Sequence, residues 1–267
     1  MKKVIVLNKK EGETPLLALE NFRAKNPGYL NVPLTYAGRL DPMASGVLVV
    51  LAGDETKNKE KYLALDKEYT FSVLFGFSTD TYDILGKVCP NSATNFFWQA
   101  GTRFAFSGKS TWACKKFIAS LVKNNLKYFT GKLKQKYPIY SSKTVNGKPL
   151  FSYARNGESV ELPEREVFIK KIDFERLKSI NSKKLFANIE KRIAKVKGDF
   201  RQKEILKLWK KKLIDDRGAK EFYIADFKVK CTSGTYVRGL ANSLGEKIKI
   251  PALAFSIKRT KVGKFYV

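Results

Sequence analysis

The order of apolar runs and turns in this 267-residue chain predicts an α+β fold, with a mixed, mainly antiparallel sheet flanked by helices. Three observations carry that expectation. Short strand-like runs follow one another through turns and hairpins rather than through regular helical crossovers. Asn146-Gly147 sits between two extended stretches as a tight-turn signal. Helical periodicity is confined to a few segments, one of them a long basic stretch at about 175–220.

Residues 2–8 read as a short buried strand. Thr14 to Phe22 reads as a helix, entered through a Thr cap and Pro15. Val47 to Leu51 is a second buried strand, and Tyr69 to Phe77 alternates as a half-exposed one. Ser78 to Lys87 is a polar turn region, in which Asp80 and Asp83 suit turn capping better than a metal pair. Lys115 to Phe129 is helical by period, with Phe117, Leu121, Leu126 and Phe129 as its apolar positions and Gly131 as its stop. Tyr137 to Val145 is extended, and Pro149 to Asn156 is a short helical turn ending near Gly157. Val167 to Phe174 and Phe222 to Cys231 are strands. Thr235 to Ile248 carries an apolar stripe of Val237, Leu240, Ala241, Leu244 and Ile248, with Ser233-Gly234-Thr235 as its cap, which puts Arg238 in the first turn.

Between the last two strands, residues 175–220 hold sixteen Lys/Arg against six Asp/Glu, with Ile, Leu, Phe186 and Trp209 at roughly helical spacing. One or two basic amphipathic helices are expected there. They read equally as a solvated surface hairpin or as a contact for nucleic-acid phosphates. Replacing 178–218 by a short linker is expected to leave the fold intact, because the flanking strands can pair through a loop.

Charge and composition narrow the function. With 52 Lys+Arg against 25 Asp+Glu, the formal net charge is +27. Such a balance points to a polyanionic partner, chiefly nucleic acid, or to a lysine-rich composition without a specific partner. Aromatics at 13% favour nucleic acid, because bases stack on rings. No apolar run is long enough for a membrane span or a signal peptide core. Cys89, Cys114 and Cys231 lie far apart without metal-ligand spacing, which fits a reducing cytoplasm. The chain has no histidine, so Ser-His-Asp and Cys-His catalysis and imidazole metal sites are excluded. Proton transfer in an enzyme of this composition rests on carboxylates, Tyr, Lys, Cys or water.

Asp41 stands in YAGRLDPMASGVLVVL, between small-residue turns and a strand-like run. By pattern alone, Asp-Pro followed by Ser-Gly is turn chemistry. The whole stretch GRLDPMASGVL, however, resembles the catalytic motif of the TruB family of pseudouridine synthases, with Pro42 and Ala44 favouring that branch over related RNA and rRNA enzymes. Three further segments resemble the family in the same order: KEYTFSVLFGFSTDTYDILGKV, QKYPIYSSKTVNGKPLFSYARNG and KCTSGTYVRGLANSLGEKI. LNKKEGETP is a weaker match, with Lys10 where the family carries proline.

The resemblance implies a pseudouridine synthase fold and isomerisation of uridine, most specifically the T-loop uridine at tRNA position 55, with no cofactor and no metal. It implies Asp41 as the catalytic carboxylate, Arg238 as its ion-pair partner and Tyr69 as the ring that stacks on the target base. Tyr236 and Ile257 fall where the family lines the uracil pocket, next to the motif residues Gly38, Arg39 and Leu40. Lys143 and Arg155 are expected phosphate contacts, and Tyr36 stands near the place of a histidine that many members insert into the RNA loop. The expected partner is tRNA through its T-stem-loop, bound by a cytoplasmic monomer. The chain is expected to lack the family's C-terminal PUA domain, with the 175–220 insertion supplying some of the missing RNA affinity. The same chemistry on rRNA, or a non-catalytic RNA-binding or tRNA-folding role, are the alternatives. Retention of Asp41, Tyr69 and Arg238 together argues against the last.

Overall fold

The computed structural model describes residues 2–90, 111–214 and 220–267, without the side chains of 111–114, so Cys114 and residues 215–219 of the expected insertion lie outside what is described. The sheet follows the order β1 (Val4–Lys9), β3 (Ala44–Ala52), β10 (Ala252–Val262), β4 (Lys67–Phe75), β9 (Glu221–Cys231), β8 (Glu164–Asn181) and β5 (Gly131–Lys136). Off this path, β2 (Leu34–Ala37) pairs with β3 and β11 (Phe265–Tyr266) with β10. Among these ladders the β3–β10 contact is parallel and the others are antiparallel. A second, two-stranded sheet joins β6 (Thr144–Val145) to β7 (Lys148–Pro149) through Asn146-Gly147, both residues at positive φ as a two-residue hairpin requires.

Helices cover both faces of the sheet. On one face lie α3 (Thr111–Asn125) and α7 (Val237–Ile248), whose Ile118, Val122, Leu240, Ala241 and Leu244 pack on Tyr69, Phe71, Val73 and Phe75 of β4. On the other lie α5 (Ser182–Ile193) and α6 (Gln202–Leu213), whose Leu185, Ile189, Ile193, Ile205 and Trp209 pack on Leu74, Phe77, Ile224 and Leu253. The period of two along β4 thus divides its side chains between the two layers. Three shorter pieces complete the description: α1 (Pro15–Lys25), α2 (Lys59–Leu63) and α4 (Leu150–Asn156). Thr14 caps α1, its Oγ1 accepting from the Leu17 amide, with Pro15 in the first turn.

Several expectations are corrected. The Tyr69–Phe77 strand is buried on both faces rather than half-exposed, because α5 and α6 cover what would be its solvent face. The basic segment does not begin at 175: residues 175–181 continue β8, which pairs with β9 as far as Asn181↔Glu221, and helix begins at Ser182 under the Asn181 cap. Nor is it a solvated hairpin, since Leu185, Ile189, Ile193 and Trp209 are fully buried. Removing 178–218 would uncover Leu74, Phe77, Ile224 and Leu253 at about 1.5–3 kcal/mol per side chain, which weighs against the expectation that the fold survives it. On α3 the buried positions are Ile118 and Val122, while Phe117 is exposed, one step off the expected stripe. The start of α7 is held not by Ser233 or Thr235 but by the Gln135 amide, which accepts from the Tyr236 N–H at 2.8 Å and donates to the Tyr236 carbonyl at 2.9 Å. Strand β10, between β3 and β4, went unread because its first four residues, Ala252–Phe255, are buried on both faces and carry no alternation.

Candidate active site

Asp41 lies in the loop between β2 and β3, and three long-range ties hold that loop. The Gly12 amide donates to the Pro42 carbonyl at 2.8 Å. Buried Arg259 of β10 donates from Nη2 to the Gly38 carbonyl at 2.9 Å and from Nε to the Val47 carbonyl at 2.8 Å, bracketing Asp41. Arg259 pairs with Gly46 across the parallel ladder, and a Cβ at Gly46 (φ +101°) would come within 2.1 Å of the Arg259 carbonyl oxygen. The glycine of the motif is therefore a steric requirement of the β3–β10 approach. Lys9, fully buried, donates from Nζ to the carbonyls of Glu13 (2.6 Å), Lys10 (3.0 Å) and Pro42 (3.4 Å). Burial pushes its ammonium down to about 8, against the pull of Asp41, Glu13 and Glu11.

Arg238 enters from the first turn of α7 and grips Asp41 with a fork, Nε–Oδ2 at 2.7 Å and Nη2–Oδ1 at 3.1 Å. It also donates to the carbonyls of Thr81 (from Nη1) and Tyr140 (from Nη2, 3.2 Å). The Arg238 side chain is 3% exposed and that of Asp41 34%, so the pair presents its carboxylate to solvent and keeps its cation inside. A second carboxylate, Asp83, sits 3.7 Å from Arg238 Nε and is buried. Burial raises Asp83 to about 6, against Arg238 and the hydrogen bonds from Thr81 and the Leu85 amide. Burial works to lower the Arg238 guanidinium, yet Asp41 and Asp83 hold it above its ordinary value.

Around this pair, Leu40, Tyr69, Ile257, Val237 and Leu240 belong to one apolar cluster. Tyr69 is buried, and burial raises its phenol above the ordinary value, against the nearby Arg259 charge. Tyr236 precedes α7, its ring edge-on to Tyr137 at 5.6 Å, and its phenol is also raised, by burial and then by the Asp41 charge. At the rim, Arg39 donates to the Tyr36 hydroxyl at 3.2 Å and to Ser142. Lys143 lies over the Tyr137 ring at 5.6 Å, and Arg155 over Phe151 at 5.5 Å, close enough for its charge to act on Tyr140. Gly38 (φ +85°) supplies the turn before Arg39. The structure thus brings Asp41, Tyr69, Arg238, Tyr236, Leu40 and Ile257 together, with Tyr36, Gly38, Arg39, Lys143 and Arg155 around them.

Sequence reasoning missed Asp83, Lys9, Arg259 and Tyr140. Asp80 and Asp83 do cap turns, accepting from the amides of Lys87 and Leu85, but Asp83 also faces Arg238. Among the described residues no group of three or more His, Cys, Asp or Glu side chains could hold a metal ion. No helix there is long and apolar enough to cross a membrane.

The Asp–Arg fork thus lies at the edge of an apolar cluster that includes Tyr69, on a mixed sheet with helices on both faces. The family model described as TruB family pseudouridylate synthase (N terminal domain) matches residues 32–103 and 102–199. The tRNA pseudouridine synthase B of Lactobacillus acidophilus is 30% identical over 98% of this chain and 69% of its own length. That of Caldanaerobacter subterraneus subsp. tengcongensis is 30% identical over 86% of this chain and 59% of its own. In fold, the chain resembles a chain of the crystal structure of a Cbf5-Nop10-Gar1 complex, with a TM-score of 0.52 at 18% identity, over 98% of this chain and 49% of that one. The chain belongs to the TruB family of pseudouridylate synthases.

Proposed function

We propose that this chain isomerises uridine to pseudouridine in tRNA, at the T-loop uridine of position 55, with Asp41 as nucleophile and without a cofactor. The observation that carries the reading is the Asp41–Arg238 fork: a carboxylate one-third exposed, paired with a buried guanidinium, beside Tyr69 and Tyr236. The reaction breaks N1–C1′, turns the base and forms C5–C1′, while the C5 proton leaves and N1 gains one. Asp41 forms a bond either to C1′ of the ribose or to C6 of the base, and that bond breaks again as or after C5–C1′ forms, so no redox partner is required. Arg238 keeps the Asp41 charge compensated and aimed by the fork. In this reading Tyr69 and Tyr236 flank the base, and Tyr69, a neutral phenol, relays the C5 proton through its hydroxyl. A T-loop uridine must be flipped out to reach Asp41, costing a few kcal/mol. The +27 net charge can offset that through phosphate contacts, including the exposed lysines of α5 and α6. The names of the relatives favour tRNA over rRNA.

The test is incubation with a T-stem-loop transcript and position-specific pseudouridine mapping. Conversion at the uridine matching position 55 is expected. Conversion of an rRNA fragment instead would move the substrate, and tight binding of both RNAs without conversion would leave only an RNA-binding role.

A further inference from the structure

The connection between α5 and α6 is wired into the wall of the Asp41 site. Lys197 donates its amide to the Gly12 carbonyl at 3.2 Å, and a Cβ at Gly12 (φ +94°) would come within 2.5 Å of the Lys195 carbonyl oxygen. Gly12 is the residue whose amide holds Pro42. At the far end of the connection Arg201 adopts φ 62°, ψ 26°, a left-handed conformation that L side chains other than Asn and Asp rarely take. Its guanidinium lies over the Tyr140 ring at 4.4 Å and donates from Nη1 to the Tyr140 hydroxyl and to Asp80 Oδ2, both at 2.7 Å. Asp80 is anchored in turn, its Oδ1 accepting from the Lys87 amide at 2.8 Å. The carbonyl of the same Tyr140 accepts from Arg238 Nη2, the nitrogen that also grips Asp41 Oδ1.

We propose that Arg201, supplied by the helical insertion, is a positioning residue for the Asp41 site, acting through Tyr140 on Arg238. The insertion then does more than cover one sheet face: it sets the position of the carbonyl that limits how Arg238 can turn. Arg201 is poorly placed to grip RNA, because its Nη1 is committed to Asp80 and Tyr140 and one of its faces is covered by a ring. A guanidinium held this way stiffens a wall. The inference rests on the proposed isomerase activity, and its test is built to separate the two.

Arg201→Gly is the informative variant, because glycine accepts the positive φ without strain, which offsets part of the lost Asp80 pair, and kinetics are read on the folded protein. On a T-stem-loop transcript its kcat should fall about tenfold, with KM and the salt dependence of binding unchanged. Arg201→Lys should recover part of that loss by keeping the Asp80 contact. Tyr140→Phe, which removes the hydroxyl acceptor, should be non-additive with Arg201→Gly. Unchanged kcat, additive losses, or a raised KM with a flatter salt slope at normal kcat would each overturn the proposal, the last by making Arg201 a phosphate contact. If the wild type converts no RNA, the functional reading fails, and the crystal structure of Arg201→Gly decides this one. Displacement of Tyr140 and Arg238 supports it, and an unmoved pair overturns it.

Discussion

Two arginines on opposite faces of the sheet hold a carboxylate in nearly the same fork. Arg238 of α7 meets Asp41 through Nε at 2.7 Å and Nη2 at 3.1 Å; Arg192 of α5 meets Glu11 through Nε at 3.1 Å and Nη2 at 2.7 Å. Both cations are buried. The difference lies in what surrounds each pair. Glu11 is 20% exposed and shared with Lys195, while Arg192 is covered by the Phe255 ring at 4.8 Å, so this pair fastens α5 to the N-terminal loop. Asp41 is more open, and its arginine carries a second carboxylate and two backbone carbonyls, so the cation stays fixed when the Asp41 side is engaged. Fork geometry alone therefore does not mark a catalytic pair. What sets the Asp41 pair apart is an accessible carboxylate on a cation with further partners.

The largest expected effect sharpens this contrast kinetically. Asp41→Asn should lower turnover on the T-stem-loop by about 10³-fold or more while RNA affinity changes less than about tenfold. Glu11→Gln should leave turnover within about threefold of wild type. Single-turnover kinetics and filter binding measure both, and comparable losses in the two variants would erase the distinction.

Stability should show the reverse order. Arg192→Met leaves Glu11 partly buried without its main partner, at a cost of about 3 kcal/mol, read from urea denaturation. Turnover of the folded fraction at 25 °C should stay close to wild type. A kinetic defect without destabilisation would mean that Glu11 and Arg192 act on the site rather than on the attachment of α5.

The smallest effect concerns Asp83, which has no counterpart beside Arg192. Its folded value is raised to about 6 from 3.8 by burial. A raised acid contributes stability that is fully present below pH 3.8 and lost as pH rises through about 6. Relative to Asp83→Asn, the wild type should therefore lose stability between about pH 4 and 6, by at most about 3 kcal/mol for a shift of about two units. Equilibrium unfolding across that window measures it, and a pH-independent difference would show that Arg238 keeps Asp83 charged throughout.

How far the sequence could be read depends on where each partner lies. The Asn146-Gly147 hairpin, the Thr14-capped helix and the stripe of α7 were legible because their determinants sit within a few residues of one another. Asp41, Tyr69 and Arg238 were legible only through motifs that resemble a known family, since Asp41 and Arg238 are 197 residues apart. Lys9 and Arg259 were not legible as part of the site. Each is a cation spent on backbone carbonyls, at separations of up to 33 and 221 residues, and a backbone acceptor leaves no side-chain signature. Arg201 was hidden likewise, since its significance depends on reaching Tyr140, 61 residues away.

The basic segment divides the two kinds of information most sharply. Local physics settled that it contains amphipathic helices, because apolar spacing at the helical period requires a buried stripe. It also settled the α+β class, the absence of imidazole chemistry and the surplus of positive charge, all properties of composition and short-range order. Which surface would bury the stripe was decided only by the long-range register of β8 on β9, which delivers the helices to the face of β4 opposite α3 and α7. That placement brings Arg192 to Glu11 and Arg201 to Tyr140. Burial is non-directional and can be read as a demand on one segment, whereas an ion pair or a ring contact needs two segments brought within a few ångströms, and only the folded topology sets that distance.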